Sequence, residues 1–189
     1  MANYFLILTA FAFSIFLVRF DGYIVNLAMP TFVHDFQINL SQASWVALSY
    51  ILAQVSAFIL FGKLSDRFRL KNIFLSGVGV FSLGSFLCVL SPNFAFLLAF
   101  RCIQGLGGSM MLVSAFASLV AYLPKERIGW ALGIMTTAAA LGVLLGPVAG
   151  GFIINYLSWR WIFLVNVPVG IIVILFGMKV IPALEKSSI

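Results

Sequence analysis

Arg19-Phe20-Asp21-Gly22-Tyr23-Ile24-Val25-Asn26-Leu27-Ala28-Met29-Pro30 closes the first long apolar segment of the chain. It sets an arginine, an aspartate and an asparagine where nearly every neighbour is Phe, Leu, Ile or Val. In a water-soluble protein that would be ordinary. Inside hydrocarbon an ionisable group is costly and marks a functional position by default. Composition places the stretch in hydrocarbon: 63% of the 189 residues are hydrophobic and only 8% are charged, against about 25% charged in a soluble domain.

Working outward, six segments reach the roughly 20 apolar residues that a membrane-crossing helix needs. They lie near Tyr4–Met29, Ser44–Gly62, Asn72–Leu90, Phe94–Leu123, Ile128–Asn155 and Trp161–Ile181. Pro30 to Ala43, with His34, Asp35, Gln37 and Asn39, reads as a polar loop. Lys63 to Lys71 is charged, Ser91-Pro92-Asn93 is a tight turn, and Pro124 to Arg127 is a short charged loop. No Lys or Arg precedes the first apolar run, which is too long for a signal-peptide core. Cys88 and Cys102 lie in apolar runs and read as small packing residues. Trp45, Trp159 and Trp161 at span ends, with Trp130, read as interfacial anchors.

The net charge of +6 does not form a basic patch interleaved with aromatics, so no nucleic-acid partner is expected. It reports topology. The second and fourth loops and the tail hold Lys63, Arg67, Arg69, Lys71, Lys125, Arg127, Lys179 and Lys186, while the other loops hold Arg160 alone. An excess of cations marks the cytoplasmic side, so both termini are expected there, in the inner (plasma) membrane. A shift of 89 residues aligns Gly62 with Gly151, Lys71 with Arg160, and Ile73-Phe74-Leu75 with Ile162-Phe163-Leu164. An offset of three spans inverts the copies in the membrane, a common transporter device. The expected architecture is all-α: one six-helix domain over 1–189, built as a 3+3 inverted repeat of about 4–91 and 94–181.

Three further stretches carry chemistry. In span four, Arg101 and Gln104 are three apart and share a helix face, while Gly105 and Ser109 allow close helix approach. In span five, Gly142, Gly146, Pro147, Gly150 and Gly151 combine a packing face with a backbone bond removed by proline. The loop Gly62-Lys63-Leu64-Ser65-Asp66-Arg67-Phe68-Arg69-Leu70-Lys71 adds an acid to an otherwise basic run, placed where the third helix is about to begin. Tyr50, Gln54, Gln104, Met110, Met111, Ser114 and Met135 can line an adaptable cavity or simply pack. No metal-ligand spacing, nucleophile constellation or phosphate loop is visible, which argues against an enzyme. Span one ends near Met29, so Asp21 is about eight residues, roughly 12 Å, below that end. Arg101 is about seven residues into span four, or roughly 10 Å. If spans one and four adjoin, the two can meet. A nearby cation favours the charged carboxylate and loss of water disfavours it. The pair can therefore couple protonation to access, or it can be a static ion pair.

These stretches resemble motifs of the major facilitator superfamily. The loop is similar to Gly-x-Leu-x-Asp-Arg-x-Gly-Arg-Lys at Gly62, Leu64, Asp66, Arg67 and Lys71, with Arg69 and Leu70 departing from it. Arg101, Gln104, Gly105 and Gly107 match Arg-x-x-Gln-Gly-x-Gly, whose arginine is implicated in proton transfer. Span five matches the antiporter motif Gly-x-x-x-Gly-Pro-x-x-Gly-Gly. Asp21, Asn26, Ala28 and Pro30 match the first-helix signature of fourteen-helix drug:proton antiporters, with Phe20 and Tyr23 departing from it. Ser158-Trp159-Arg160-Trp161-Ile162-Phe163 with Asn166, Pro168 and Gly170 looks like that family's entry to helix six.

The resemblance implies the N-terminal half of a proton-coupled exporter of small amphipathic compounds, needing no cofactor beyond a proton gradient. Asp21 and Arg101 would couple to protons, and Gly62, Asp66, Arg67 and Lys71 would form a conformational latch. Arg19, Tyr23, Asn26, Tyr50, Gln54, Gln104 and Met111 would face a small-molecule substrate. A second six-helix half would be required, expected as a second copy of the chain in a homodimer. The alternatives are a carrier of an anionic metabolite and a non-transporting membrane subunit. Arg19, on a different helix face from Asp21, can snorkel, pair with another chain or attract an anion.

Overall fold

Uniformly apolar sequence interrupted by proline and capping residues gives long helices with very short connections. The computed structural model describes residues 4–182, apart from the side chain of Asp66. Lys186 and the rest of the tail lie outside the described residues. The helices are α1 (Tyr4–Ile24), α2 (Met29–Phe36), α3 (Leu40–Arg67), α4 (Leu70–Val89), α5 (Phe94–Tyr122), α6 (Lys125–Tyr156), α7 (Arg160–Leu164) and α8 (Asn166–Val180), with a 3-10 turn over Val25–Ala28. Among the described residues there is no strand. Six helical stretches are long and apolar enough to cross a membrane: Tyr4–Phe36, Leu40–Ser65, Leu70–Val89, Phe94–Tyr122, Lys125–Tyr156 and Arg160–Val180.

The first connection differs from the sequence reading. Pro30 to Phe36 is helix, and only the turn from Gln37 to Asn39 separates α2 from α3. Pro30 lies in the first turn of α2, where its missing N–H costs no intrahelical bond. Gln37 closes α2 in the left-handed region at φ 51°. Asn39 then starts α3 through a capping box: its Oδ1 accepts from Gln42 N–H at 2.8 Å, and Gln42 Oε1 accepts from Asn39 N–H at 2.9 Å. Two orphan donors are satisfied reciprocally. Span one is thus 33 residues long, and Asp21 sits near its midpoint instead of close to its far end.

The second connection also tightens. α3 runs to Arg67, leaving Phe68 and Arg69 as the whole turn before α4. Asp66 therefore belongs to the last turn of α3, not to the approach to the third span. Its side chain, and with it that part of the expected latch, lies outside the described residues.

Two spans are irregular next to a proline. Pro30 offers no N–H to the carbonyl of Asn26, four residues earlier, and the backbone tightens to 3-10 over Val25–Ala28. Pro168 stands in the same relation to Leu164, where α7 ends. Proline removes that bond and crowds that carbonyl, so the observed breaks have a local cause. The break in span six makes Asn166 the first residue of α8.

Packing follows a two-fold pattern. α1 lies along α6, α3 along α5, and α4 contacts both α5 and α8. The 89-residue shift relates two of these crossings. A Cβ placed on Gly142 would come within 2.6 Å of the Phe16 carbonyl oxygen, and one placed on Gly105 would come within 3.1 Å of Ala53 Cβ. Phe16 shifts onto Gly105 and Gly142 shifts onto Ala53. Two buried apolar clusters result. One holds Ile7, Phe11, Phe74, Met135 and Ile181, at the end where α1 begins and α8 ends. The other holds Ile24, Phe32, Leu97, Trp159 and Phe163 at the far end.

Trp159 departs from its expected role. It is 2% exposed, whereas Trp45, Trp130 and Trp161 are about half exposed at 48%, 52% and 47%. Its ring packs edge-on against Phe32 at 5.2 Å, and its Nε1–H donates to Asp35 Oδ2 at 2.9 Å. A buried indole keeps a polar partner for its N–H, and here that partner is on the extension of span one. His34, on the same extension, has its side chain 86% exposed. Cys88 is buried, Cys102 partly so, and both are free thiols.

Candidate functional site

Between the two apolar clusters the chain buries a connected set of polar side chains. Asp21 (α1), Ser85 (α4), Arg101 and Gln104 (α5) and Asn166 (α8) are all 0% exposed. Arg101 Nη1 donates to Asp21 Oδ2 at 2.6 Å and to Gln104 Oε1 at 2.6 Å, and Arg101 Nε donates to the Val46 carbonyl at 3.0 Å. Asp21 Oδ1 accepts from Gln104 Nε2 at 2.9 Å and from Asn166 Nδ2 at 2.6 Å. Gln104 Nε2 also donates to Ser85 Oγ at 2.6 Å. The guanidinium carbon of Arg101 lies 4.2 Å from the Tyr50 ring centroid, a cation–π contact. Arg101 Nη2 and Asn166 Oδ1 have no hydrogen-bond partner among the described residues.

Each side chain gets there for a local reason. The spacing of three puts Arg101 and Gln104 on one face of α5, and the glycines beyond them let other spans close on that face. A Cβ at Gly84 would come within 2.7 Å of the Gln104 backbone N, and one at Gly105 would collide with the Tyr50 carbonyl oxygen. Spans two and three can therefore both reach α5. Asn166 arrives through the break in span six. A buried charge is tolerable only when paired and hydrogen-bonded, and Asp21 meets both conditions with one cation and two amides.

A cavity of about 370 Å³ opens beside this network, lined in part by Arg19, Tyr23, Asn26, Tyr50 and Gln54. Tyr50 belongs to both: it lines the cavity and lies under Arg101. Its hydroxyl donates to the Val18 carbonyl at 3.3 Å and accepts from Gln54 Nε2 at 3.2 Å. Two expected cavity residues lie elsewhere. Gln104 is turned into the ion-pair network, and Met111 is fully buried in the apolar cluster with Phe11 and Phe81. Leu112 lines the cavity instead.

The span-five glycines form the α6 face against α1. A Cβ on Gly146 would stand 3.0 Å from the Phe20 carbonyl oxygen, and one on Gly150 would stand 3.0 Å from that of Ile24. Gly151 is looser, with Leu27 Cδ1 at 3.7 Å. α6 continues unbroken through Pro147. In the loop, Lys71 Nζ donates to the Met178 carbonyl at 2.8 Å, fastening the start of span three to the end of span six. Arg67 is exposed and Gly62 faces open space. Sequence reasoning missed Ser85 and the role of Asn166. The signal for Asn166 was an amide inside an apolar span, four residues after Ile162.

A model of the Major Facilitator Superfamily matches residues 11–188. The chain belongs to the major facilitator superfamily. It is therefore a multi-pass membrane protein of a transporter family, and not an enzyme. The riboflavin transporter RibZ of Clostridioides difficile is 34% identical over 182 residues, covering 96% of this chain and 40% of RibZ. The putative multidrug resistance protein MdtD of Pectobacterium carotovorum is 38% identical over 161 residues, covering 85% of this chain and 34% of MdtD. A multidrug resistance protein B homolog of Mycobacterium tuberculosis is 36% identical over 162 residues, covering 86% and 30%. The chain thus spans roughly a third of the length of these superfamily relatives.

Proposed function

We propose that this domain is one half of a proton-coupled exporter of small amphipathic compounds, of the multidrug type. The observation that carries the reading is Asp21, a carboxylate buried near mid-span and bonded to Arg101, Gln104 and Asn166. Protonating it removes the charge that holds Arg101, and with it the strongest link between spans one and four. Deprotonation restores that link. A proton thereby changes how two helices bind each other beside a cavity, as proton-coupled alternation requires. The multidrug names of two of the relatives agree with a cavity whose wall is mostly apolar. No cofactor beyond the proton gradient is invoked. The distribution of cations supports an inner-membrane protein with both termini cytoplasmic.

The test is exchange of an amphipathic dye driven by an imposed pH gradient in proteoliposomes. Asp21→Asn is expected to abolish it, while the circular dichroism spectrum and detergent elution stay those of the parent. Unchanged exchange would remove Asp21 from the mechanism.

A transport path needs a second wall, and the reading includes a second six-helix domain facing the cavity, supplied by a second copy of this chain. Native mass spectrometry in detergent is expected to show two copies. A species with one copy of this domain and no other six-helix domain, still active in the dye assay, would sink that part of the reading.

A further inference from the structure

Arg19 is a charged side chain deep in the first span that the ion-pair network does not use. It lies near the midpoint of the 33-residue span Tyr4–Phe36. At about 1.5 Å per residue both ends of the span lie more than about 20 Å along the helix from Arg19, beyond the reach of its side chain. It makes no ion pair among the described residues. Asp21, two residues on, points to another face and is already held by Arg101. Gly142 keeps room for the arginine: a Cβ there would stand 3.0 Å from Arg19 Cβ.

The cavity around Arg19 has a definite chemistry. Among the described residues lining it, Arg19 is the one charged group. Tyr23, four residues on, shares its helix face, and Asn26 in the following 3-10 turn lines the same cavity. Gln54 and Tyr50 add amide and hydroxyl groups from α3. The rest of the wall, including Val55 and Phe58, is apolar. A cation without an ion-pair partner, lining a cavity whose other walls carry no charge, attracts an anion and disfavours another cation. Guanidinium presents a fork of donors suited to carboxylate, sulfonate or phosphate oxygens.

We infer that Arg19 is a specificity-determining residue, and that the compound carried is an amphipathic anion whose charged group binds Arg19 while its apolar body lies against Val55 and Phe58. The inference rests on the transport reading but names its substrate class. Because Tyr50 separates this cavity from Arg101, the anion binds on one side of the tyrosine ring and the proton-sensitive pair lies on the other.

Equilibrium binding to the purified protein in lipid nanodiscs tests this without any proton gradient. The probes are 2-naphthylacetate, 2-naphthylmethanol and 2-naphthylmethyl-trimethylammonium, with empty nanodiscs subtracted. The parent protein is expected to bind the anion about tenfold more tightly than the alcohol, the scale of one charge-assisted hydrogen bond, and the cation most weakly. Arg19→Gln is expected to bring the anion down to the affinity of the alcohol and leave the alcohol unchanged. Arg19→Lys is expected to keep most of the preference. Absence of anion-selective binding in the parent, or an anion preference that survives in Arg19→Gln, overturns the inference. Dye exchange that persists and still depends on Asp21 would then leave the transport reading standing without it. Loss of Asp21-dependent exchange with the anion preference intact is the reverse failure.

Discussion

Arg101→Met is expected to destabilise the protein by about 3–5 kcal/mol, the range found when one member of a buried ion pair is removed. Arg101 is 0% exposed and donates to three acceptors on three different spans or turns of helix: Asp21, Gln104 and the Val46 carbonyl. Methionine fills much of the same volume but returns none of these bonds. The heavier loss falls on Asp21, which becomes a buried carboxylate without a cation. Adding Asp21→Asn to Arg101→Met removes that orphaned charge, so the double variant is expected to recover more than half of the lost stability. Asparagine can still accept from Gln104 and Asn166 through its carbonyl oxygen. Equilibrium unfolding of the four proteins in one detergent gives the coupling directly. Strictly additive effects would show that the two groups do not interact as the 2.6 Å contact requires.

Gly107→Val is expected to cost about 3 kcal/mol or more, at the upper end for overpacking. A Cβ at Gly107 would collide with the backbone N of Phe81 and stand 2.8 Å from the Gly77 carbonyl oxygen. Both neighbours are backbone, so no rotamer change relieves the clash and α4 must move away from α5. That movement would stretch the Gln104–Ser85 bond of 2.6 Å and loosen Gln104 beside Asp21. The effect should therefore reach the buried polar network as well as the fold. Gly79→Val is the control, since a Cβ at Gly79 meets nothing within 4 Å. It is expected to stay within about 0.5 kcal/mol of the parent, as surface substitutions usually do. Equal losses from the two valines would contradict the packing described.

The glycines explain why so much of the site was readable beforehand. Gly105 stands about one turn past Arg101 and four residues before Ser109, and Gly142, Gly146 and Gly150 recur every four residues on α6. Both spacings mark faces where another backbone comes close. Counting residues along two helices gave Asp21 and Arg101 similar depths, because rise per residue is nearly constant in a membrane span, and they were expected to meet on the condition that spans one and four adjoin. The polar run after Pro30 was misread because composition does not distinguish a loop from a helix whose polar side chains face water. His34 is such a side chain.

Length, apolar run and charge placement determined that the chain makes six membrane-length helices, and motif spacing singled out Asp21, Arg101 and Gln104 as candidates. Those are properties of local chemistry and periodicity, and they survive without knowing any contact. Rotation of each helix about its axis was settled only by packing. Gln104 could have faced a cavity or Asp21, Met111 a substrate or Phe81, and Trp159 a membrane interface or Asp35. In an all-apolar helix no amphipathic stripe announces the buried face, so small residues on neighbouring helices choose it. The break at Val165 and the close fit at Gly84 together bring Asn166 and Ser85 to Asp21 and Gln104. Ser85 is 19 residues from Gln104 along the chain and Asn166 is 145 from Asp21, so only the fold brings each to its partner.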